Sequence, residues 1–143
     1  MSKKKVLFIC VHNSGRSRMA EAFLNAECED FYEAQSAGLE PGTFNPLVAE
    51  TMDELGLDIR QKPSQAVFDV WRSGPVFSHV ISVCSESEAG GCPIFPGPTK
   101  RLHWTFPDPS KVEGDHEQKL AQVREIRDTI RTRIKEWCQE NCR

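Results

Sequence analysis

The chain has 143 residues, 38% of them hydrophobic and 27% charged, with nine glycines and nine prolines, an ordinary globular composition at the length of one domain, 1–143. Its 18 Lys and Arg against 21 Asp and Glu leave a formal charge of −3, which argues against a general nucleic-acid binder while allowing a local basic pocket. No apolar run approaches the ~18 residues of a membrane span, and Val6 to Cys10 is too short for a signal-peptide core, so the expectation is a cytoplasmic protein without membrane contact.

Lys5 to Cys10 reads as a buried strand, a short apolar run with β-branched Val6 and Ile9. A turn-rich run, Val11-His12-Asn13-Ser14-Gly15, follows it. From Ser17 the spacing predicts a helix with Met19, Ala22, Phe23 and Ala26 on one face. Phe31 to Ala37 reads as a second strand, stopped by Gly38. Asn45-Pro46 is a strong helix start, because Asn caps the first turn and Pro suits the first helical position. That helix would carry Leu47, Val48, Met52 and Leu55 and end at Gly56. Ala66 to Trp71 is a short helix or turn, His79 to Cys84 a strand, and Arg101 to Thr105 a fourth strand. Leu120, Val123, Ile126 or Arg127, Ile130, Ile134 and Trp137 mark a long amphipathic helix at the end. Gly90 to Pro98 reads as a loop within the domain, and there is no internal repeat.

Strands alternating with helices predict an α/β fold with a parallel sheet flanked by helices. Ligands in such sheets bind at the carboxyl ends of the strands. Cys10, Cys84 and the stretch after Trp104 all fall at such ends.

The sharpest feature is Cys10-Val11-His12-Asn13-Ser14-Gly15-Arg16-Ser17, a loop between a strand and a helix. Successive backbone N–H groups and a helix N-terminus can cradle an oxyanion. Arg16 can grip two oxygens of a tetrahedral anion side by side. The same positive field favours a nucleophilic sulfur anion at Cys10. The competing reading is a buried strand cysteine next to an arginine that opens an exposed helix. A nucleotide-binding loop is a poor rival, since its Gly and Lys-Ser/Thr are missing.

Six cysteines without an export signal read as thiol chemistry or metal before structural disulfides. Cys28 lies between Glu27 and Glu29, where negative charge opposes a thiolate, so it reads as structural or incidental. Cys138 and Cys142 sit four apart near Glu136 and Glu140, and neither reads as a nucleophile. No Cys-x-x-Cys pair supports zinc. His12 lies in the loop, as a tuning group or a solvated one; His79, His103 and His116 read as strand or surface residues. Trp71, Trp104 and Trp137 read as core.

The Cys10 to Ser17 loop resembles that of the low-molecular-weight protein tyrosine phosphatases and of the arsenate reductases that share their fold. The resemblance continues through Met19-Ala20-Glu21, Ser36-Ala37-Gly38 and Asn45-Pro46 to Asp108-Pro109, in order along most of the chain. It implies a four-stranded parallel sheet, Cys10 as nucleophile, Arg16 as oxyanion binder, Asn13 as holder of the loop, Ser17 as hydrogen-bond donor to the thiolate, and Asp108 as general acid. Taken alone, Asp108-Pro109 reads equally as a surface turn.

Within the resemblance, Cys84 and Cys92 discriminate. A phosphatase needs one thiolate, whereas a reductase needs electrons, which a dithiol supplies in pairs through mixed disulfides. Cys84 at a strand end and Cys92 in a Gly-rich stretch resemble the cysteine pair of thioredoxin-coupled arsenate reductases. Read singly, they are a buried strand cysteine and an incidental loop thiol. The implied function is reduction of arsenate to arsenite, with Cys10 attacking arsenic, Cys84 then Cys92 resolving, and thioredoxin as reductant rather than glutaredoxin or glutathione. The alternatives are a phosphatase of the same fold and a thiol redox sensor without turnover. Ser110-Lys111 follow Asp108-Pro109 where the phosphatases usually carry tyrosines, and the chain has one tyrosine, Tyr32. Position 15 is Gly where both branches often have a second cysteine. No cofactor is required by this reading, but some reductases of the family bind a potassium ion through Asn, Glu, Ser and Asp. Asn13, Glu21 and Ser36 match that set, while position 65 is Gln.

Overall fold

Val6, Leu7, Phe8 and Ile9 have no solvent exposure at all, as a central strand covered on both faces must. In the computed structural model, which describes residues 3–13, 15–40, 42–74, 76–83 and 99–141, they form β1 (Lys4–Cys10). The remaining elements are α1 (Arg16–Glu27), β2 (Tyr32–Gly38), α2 (Pro46–Asp53), α3 (Val67–Ser73), β3 (His79–Ser82), β4 (Lys100–His103), a 3₁₀ turn over Pro109–Lys111 and α4 (His116–Asn141). The sheet order is β2-β1-β3-β4, and every pairing is parallel. The expected single-domain α/β architecture with a four-stranded parallel sheet is therefore present.

Alternation along β1 sends its side chains to two cores. Val6, Phe8 and Cys10 join the larger one, with Met19, Phe23 and Leu24 of α1, Val48 and Met52 of α2, and Ile130 and Ile134 of α4. Leu7 and Ile9 face the other way, against Val67 and Val70 of α3 and Phe77 and Val80.

Local chemistry sets the element ends. Asn45 Oδ1 accepts from Leu47 N at 2.9 Å, with Pro46 in the first helical position, as expected. The chain leaves α2 through Gly56, whose φ of +75° suits a residue without Cβ. In α1 the buried residues include Met19, Ala20, Phe23 and Leu24, while Ala26 is exposed. The apolar stripe is thus wider than one face and displaced from the expected one, because α1 is packed by both the sheet and α4. Trp104 and Trp137 are core, but Trp71 is 42% exposed, as is its neighbour Phe68. On α3 only the Val67 and Val70 side meets the sheet. His79 is a strand residue and is buried, edge-on to Trp137.

Two fastenings hold α4. Cys28, the C-cap of α1, is disulfide-bonded to Cys138, with Cα atoms 6.0 Å apart. This corrects the expectation that the cysteines favour thiol chemistry over structural disulfides. Glu27 and Glu29 disfavour a thiolate at Cys28 but do not oppose a neutral disulfide. Cys142 lies outside the described residues. At the other end Glu54 accepts from Arg124 Nε at 3.0 Å and Nη2 at 2.8 Å, and from Arg127 Nη1 at 2.8 Å. Arg127 also donates to Thr51 O, which is why this buried arginine is tolerated on an apolar face.

Two outcomes follow. Cys138→Ser should lower the unfolding free energy by about 2–4 kcal/mol in urea titrations, and a reductant should do the same to the parent and little to the variant. The hydrogen bonds of Arg124 and then Arg127 hold the Glu54 carboxyl down at about 2 against an ordinary 4.5. A depressed carboxylate stabilises the fold above its unfolded value, and the effect is lost as pH falls through the folded one. Glu54→Gln should therefore flatten the fall in Tm between about pH 5 and pH 2; the exposure of the pair keeps the difference small.

Candidate active site

β1 ends at the sheet rim, and the backbone beyond it is tied outward at successive residues. Cys10 O accepts from Leu39 N at 3.0 Å, Val11 O from Glu40 N at 2.7 Å and His12 O from Gly42 N at 2.9 Å. Asn13 O accepts from Arg18 Nε at 2.5 Å and Ser64 Oγ at 3.3 Å. A trans peptide points its carbonyl and the next N–H in opposite directions. Fastening these carbonyls on the outside therefore turns the N–H groups of Val11, His12 and Asn13 to the other side. Cys10, Val11, His12, Gly15 and Arg16 line a cavity of about 310 Å³ there, closed by Asp108, Pro109, Ser110 and Lys111. These inward N–H groups form a concave backbone nest.

Asn13 holds the shape. Its φ is +54°, the left-handed region that Asn tolerates better than most residues. Its buried side chain donates to Ser17 Oγ and Ser36 Oγ, both at 2.9 Å, and accepts from Gln65 N at 3.3 Å. Gly38 ends β2 rather than stopping it, paired in register with Cys10. A Cβ there would lie 2.8 Å from Val11 O and 2.9 Å from Asn13 N, so only glycine lets the loop lie so close to the strand.

Cys10 is a buried free thiol at the cavity floor. Arg16 is 5% exposed, not the opening residue of a solvated helix. Its Nη1 donates to Phe106 O at 3.2 Å, and its Nη2 lies 3.8 Å from Asp108 Oδ2. Asp108 also caps the 3₁₀ turn, accepting on Oδ1 from Ser110 N at 2.9 Å and Ser110 Oγ at 2.7 Å. Burial raises its carboxyl, but those two hydrogen bonds and the charges of Arg16 and Lys111 outweigh it, leaving Asp108 below the ordinary carboxylate value. Gly15 allows this closure: a Cβ on it would meet Pro109 Cγ at 3.0 Å.

The structure thus brings Cys10, Val11, His12, Gly15, Arg16 and Asp108 to one cavity and puts Asn13 and Ser17 behind it. Ser14, Cys84 and Cys92 lie outside the described residues. His12 is exposed, its Nδ1 2.9 Å from Glu40 O. Glu21 is not on a solvated face; it is 8% exposed and accepts from Ser36 Oγ at 2.6 Å. The sequence reading missed Arg18, which besides Asn13 O binds Ile59 O, Lys62 O and Ser64 Oγ. Burial pushes its guanidinium below the ordinary value, with Glu21 opposing. Its one signal was position, the second arginine of Arg16-Ser17-Arg18. Ser64, which also donates to Gly42 O, carried none.

Residues 5–142 match the model of the low molecular weight phosphotyrosine protein phosphatases. The chain belongs to that family. It is 37% identical to an arsenate reductase of Shouchella clausii over 97% of this chain and 98% of that one. It is 38% identical to an arsenate reductase of Bacillus licheniformis over the same shares. The thioredoxin-dependent arsenate reductase of Corynebacterium glutamicum superposes with a TM-score of 0.73 at 31% identity, over 96% of this chain and 61% of that one.

Gly38→Ala should push the loop off its outward anchors and weaken inorganic phosphate binding by about 10- to 100-fold, as sub-ångström misplacement of such groups does. Calorimetric titration with phosphate checks it.

Proposed function

We propose that this chain reduces arsenate to arsenite, with Cys10 as nucleophile and the N–H groups of the loop and Arg16 as the oxyanion cradle. The observation that carries the reading is a buried thiol sharing one cavity with an arginine and a carboxylate, in a chain whose end-to-end relatives are named arsenate reductases. Among the described residues no Phe, Tyr or Trp lines that cavity, and its aromatic ring is the His12 imidazole. Tyr32, the one tyrosine of the chain, is buried in β2 and supplies no wall to this cavity. This favours a small inorganic oxyanion.

The Cys10 thiolate attacks As(V), and one arsenate hydroxyl leaves as water after taking a proton from Asp108. The Asp108 carboxyl sits below the ordinary value in the free protein. An arriving oxyanion brings like charge beside it, which favours the protonated form. Ser17 Oγ accepts from Asn13 Nδ2, so its own proton is available to the thiolate. Cys84 thiolate then attacks the Cys10 sulfur. The electron pair of the S–As bond stays on arsenic, which leaves as As(III), and a Cys10–Cys84 disulfide remains. Cys92 attacks Cys84, returning Cys10 as thiolate and leaving a Cys84–Cys92 disulfide. A thioredoxin dithiol supplies the two electrons that reopen it. These steps place the work in a reducing compartment, the cytoplasm.

A fully reduced, reductant-free sample given arsenate should yield one arsenite per chain and lose two thiols. Cys92→Ser should make its first arsenite at near-parent rate and then stall as a Cys10–Cys84 disulfide, while Cys10→Ser makes none. No arsenite and no thiol loss, with hydrolysis of an aryl phosphate, would replace the reductase by a phosphatase. Thiol loss without arsenite would leave a redox sensor. Sustained turnover by Cys92→Ser with thioredoxin would remove the relay.

A further inference from the structure

Behind the loop, Glu21 projects from α1 with its side chain 10% exposed, and a buried carboxylate needs a compensating charge. The family resemblance offers potassium for that place, held by Asn13, Glu21, Ser36 and an Asp at position 65. The residues present do not fit it. Both oxygens of Glu21 are taken, Oε1 by the Ser36 hydroxyl at 2.6 Å and Oε2 by the Lys62 ammonium at 2.8 Å. Gln65 brings no second carboxylate; its Nε2 donates to Ser36 O at 2.9 Å and its backbone N to Asn13 Oδ1 at 3.3 Å. One carboxylate and one ammonium already balance, and the guanidinium of Arg18 acts on Glu21 as well. A further cation would meet repulsion and N–H groups where it requires oxygens.

We propose that Lys62 is the resident cation of this chain, a positioning residue that sets the oxyanion loop through Glu21, Ser36 and Asn13 and makes the site independent of potassium. The hydrogen bonds converge on the Glu21 carboxylate. Lys62 donates to Glu21; Ser36 donates to Glu21 and so must accept from Asn13; Asn13 donates also to Ser17. The ammonium holds and neutralises the carboxylate, the carboxylate fixes the Ser36 hydroxyl, and that hydroxyl fixes the Asn13 amide as its donor. That amide holds the left-handed residue in the middle of the loop. Without Lys62, Glu21 would draw Arg18 off Asn13 O and loosen an outward anchor. The Lys62 side chain is 66% exposed, so its head group can be removed without opening a cavity, and its backbone carbonyl stays available to Arg18.

The test reads inorganic phosphate affinity, Tm and the rate of iodoacetamide alkylation at Cys10, located by peptide mass spectrometry. None of these requires arsenate reduction, so its outcome is separable from the reaction proposed above. Each is measured in potassium chloride and in tetramethylammonium chloride at equal ionic strength. The parent and Lys62→Arg should give the same values in both salts. Lys62→Met in tetramethylammonium should lose about 3- to 30-fold in phosphate affinity, with a changed Cys10 alkylation rate, and potassium should restore part of each and raise Tm. A parent whose Tm or phosphate affinity depends on potassium would overturn the proposal. So would a Lys62→Met variant that matches the parent without potassium.

Discussion

A peptide carbonyl fastened on one side of a loop commits the N–H that follows it to the other side, and this constraint underlies the whole site. The carbonyls of Cys10, Val11, His12 and Asn13 are all held from outside by the segment after β2, by Arg18 and by Ser64. The shape of the loop is therefore set by the fold itself, and an oxyanion held there, as proposed, would require no reorganisation of it. The segments that hold it come from different parts of the chain. Leu39, Glu40 and Gly42 approach because Gly38 has no Cβ to keep β2 and the loop apart. Ile59 to Ser64 approaches because Arg18 draws their carbonyls and hydroxyl around its guanidinium.

Two arginines, two residues apart on the first turn of α1, do opposite work. Arg16 turns toward the cavity and Asp108, and Arg18 turns away and binds four backbone or hydroxyl oxygens. Both are buried. On a helix, positions two apart lie on different sides, so the pair encloses the loop between an inner and an outer cation. Asp108 is opposed to the inner one and Glu21 lies near the outer one. The site thereby buries Arg16, Arg18 and Glu21 and half-buries Asp108, each beside an opposite charge.

The long helix α4 supplies the support. It packs on α1 and α2, the two helices that begin beside the loop, and is fastened at its far end by Cys28–Cys138 and nearer its start by Glu54 with Arg124 and Arg127. Movement of α1 relative to β1 would move Arg16 relative to Cys10. A covalent tie at the end of α1 and an ion-pair network at the end of α2 both resist it.

Periodicity and cap chemistry are local, and they were legible: the alternating strands and helices, the Asn45-Pro46 start, the apolar spacing of α4, and the strand–loop–helix that joins Cys10 to Arg16. The carboxyl-end rule then predicted that Cys10, Cys84 and the stretch after Trp104 would meet; Asp108 does come to the Cys10 cavity, and Cys84 lies outside the described residues. The rest depends on partners distant in sequence. Nothing near Cys28 names Cys138, 110 residues away. Trp71 is exposed because α3 offers one face to the sheet, which its own sequence does not specify. Glu21 reads as a solvated helix residue until Ser36 and Lys62 are seen against it. The sequence by itself determined which elements form and which residues have the chemistry to act. Only the tertiary structure decided which charges compensate one another, because burial and pairing are set by segments far apart along the chain.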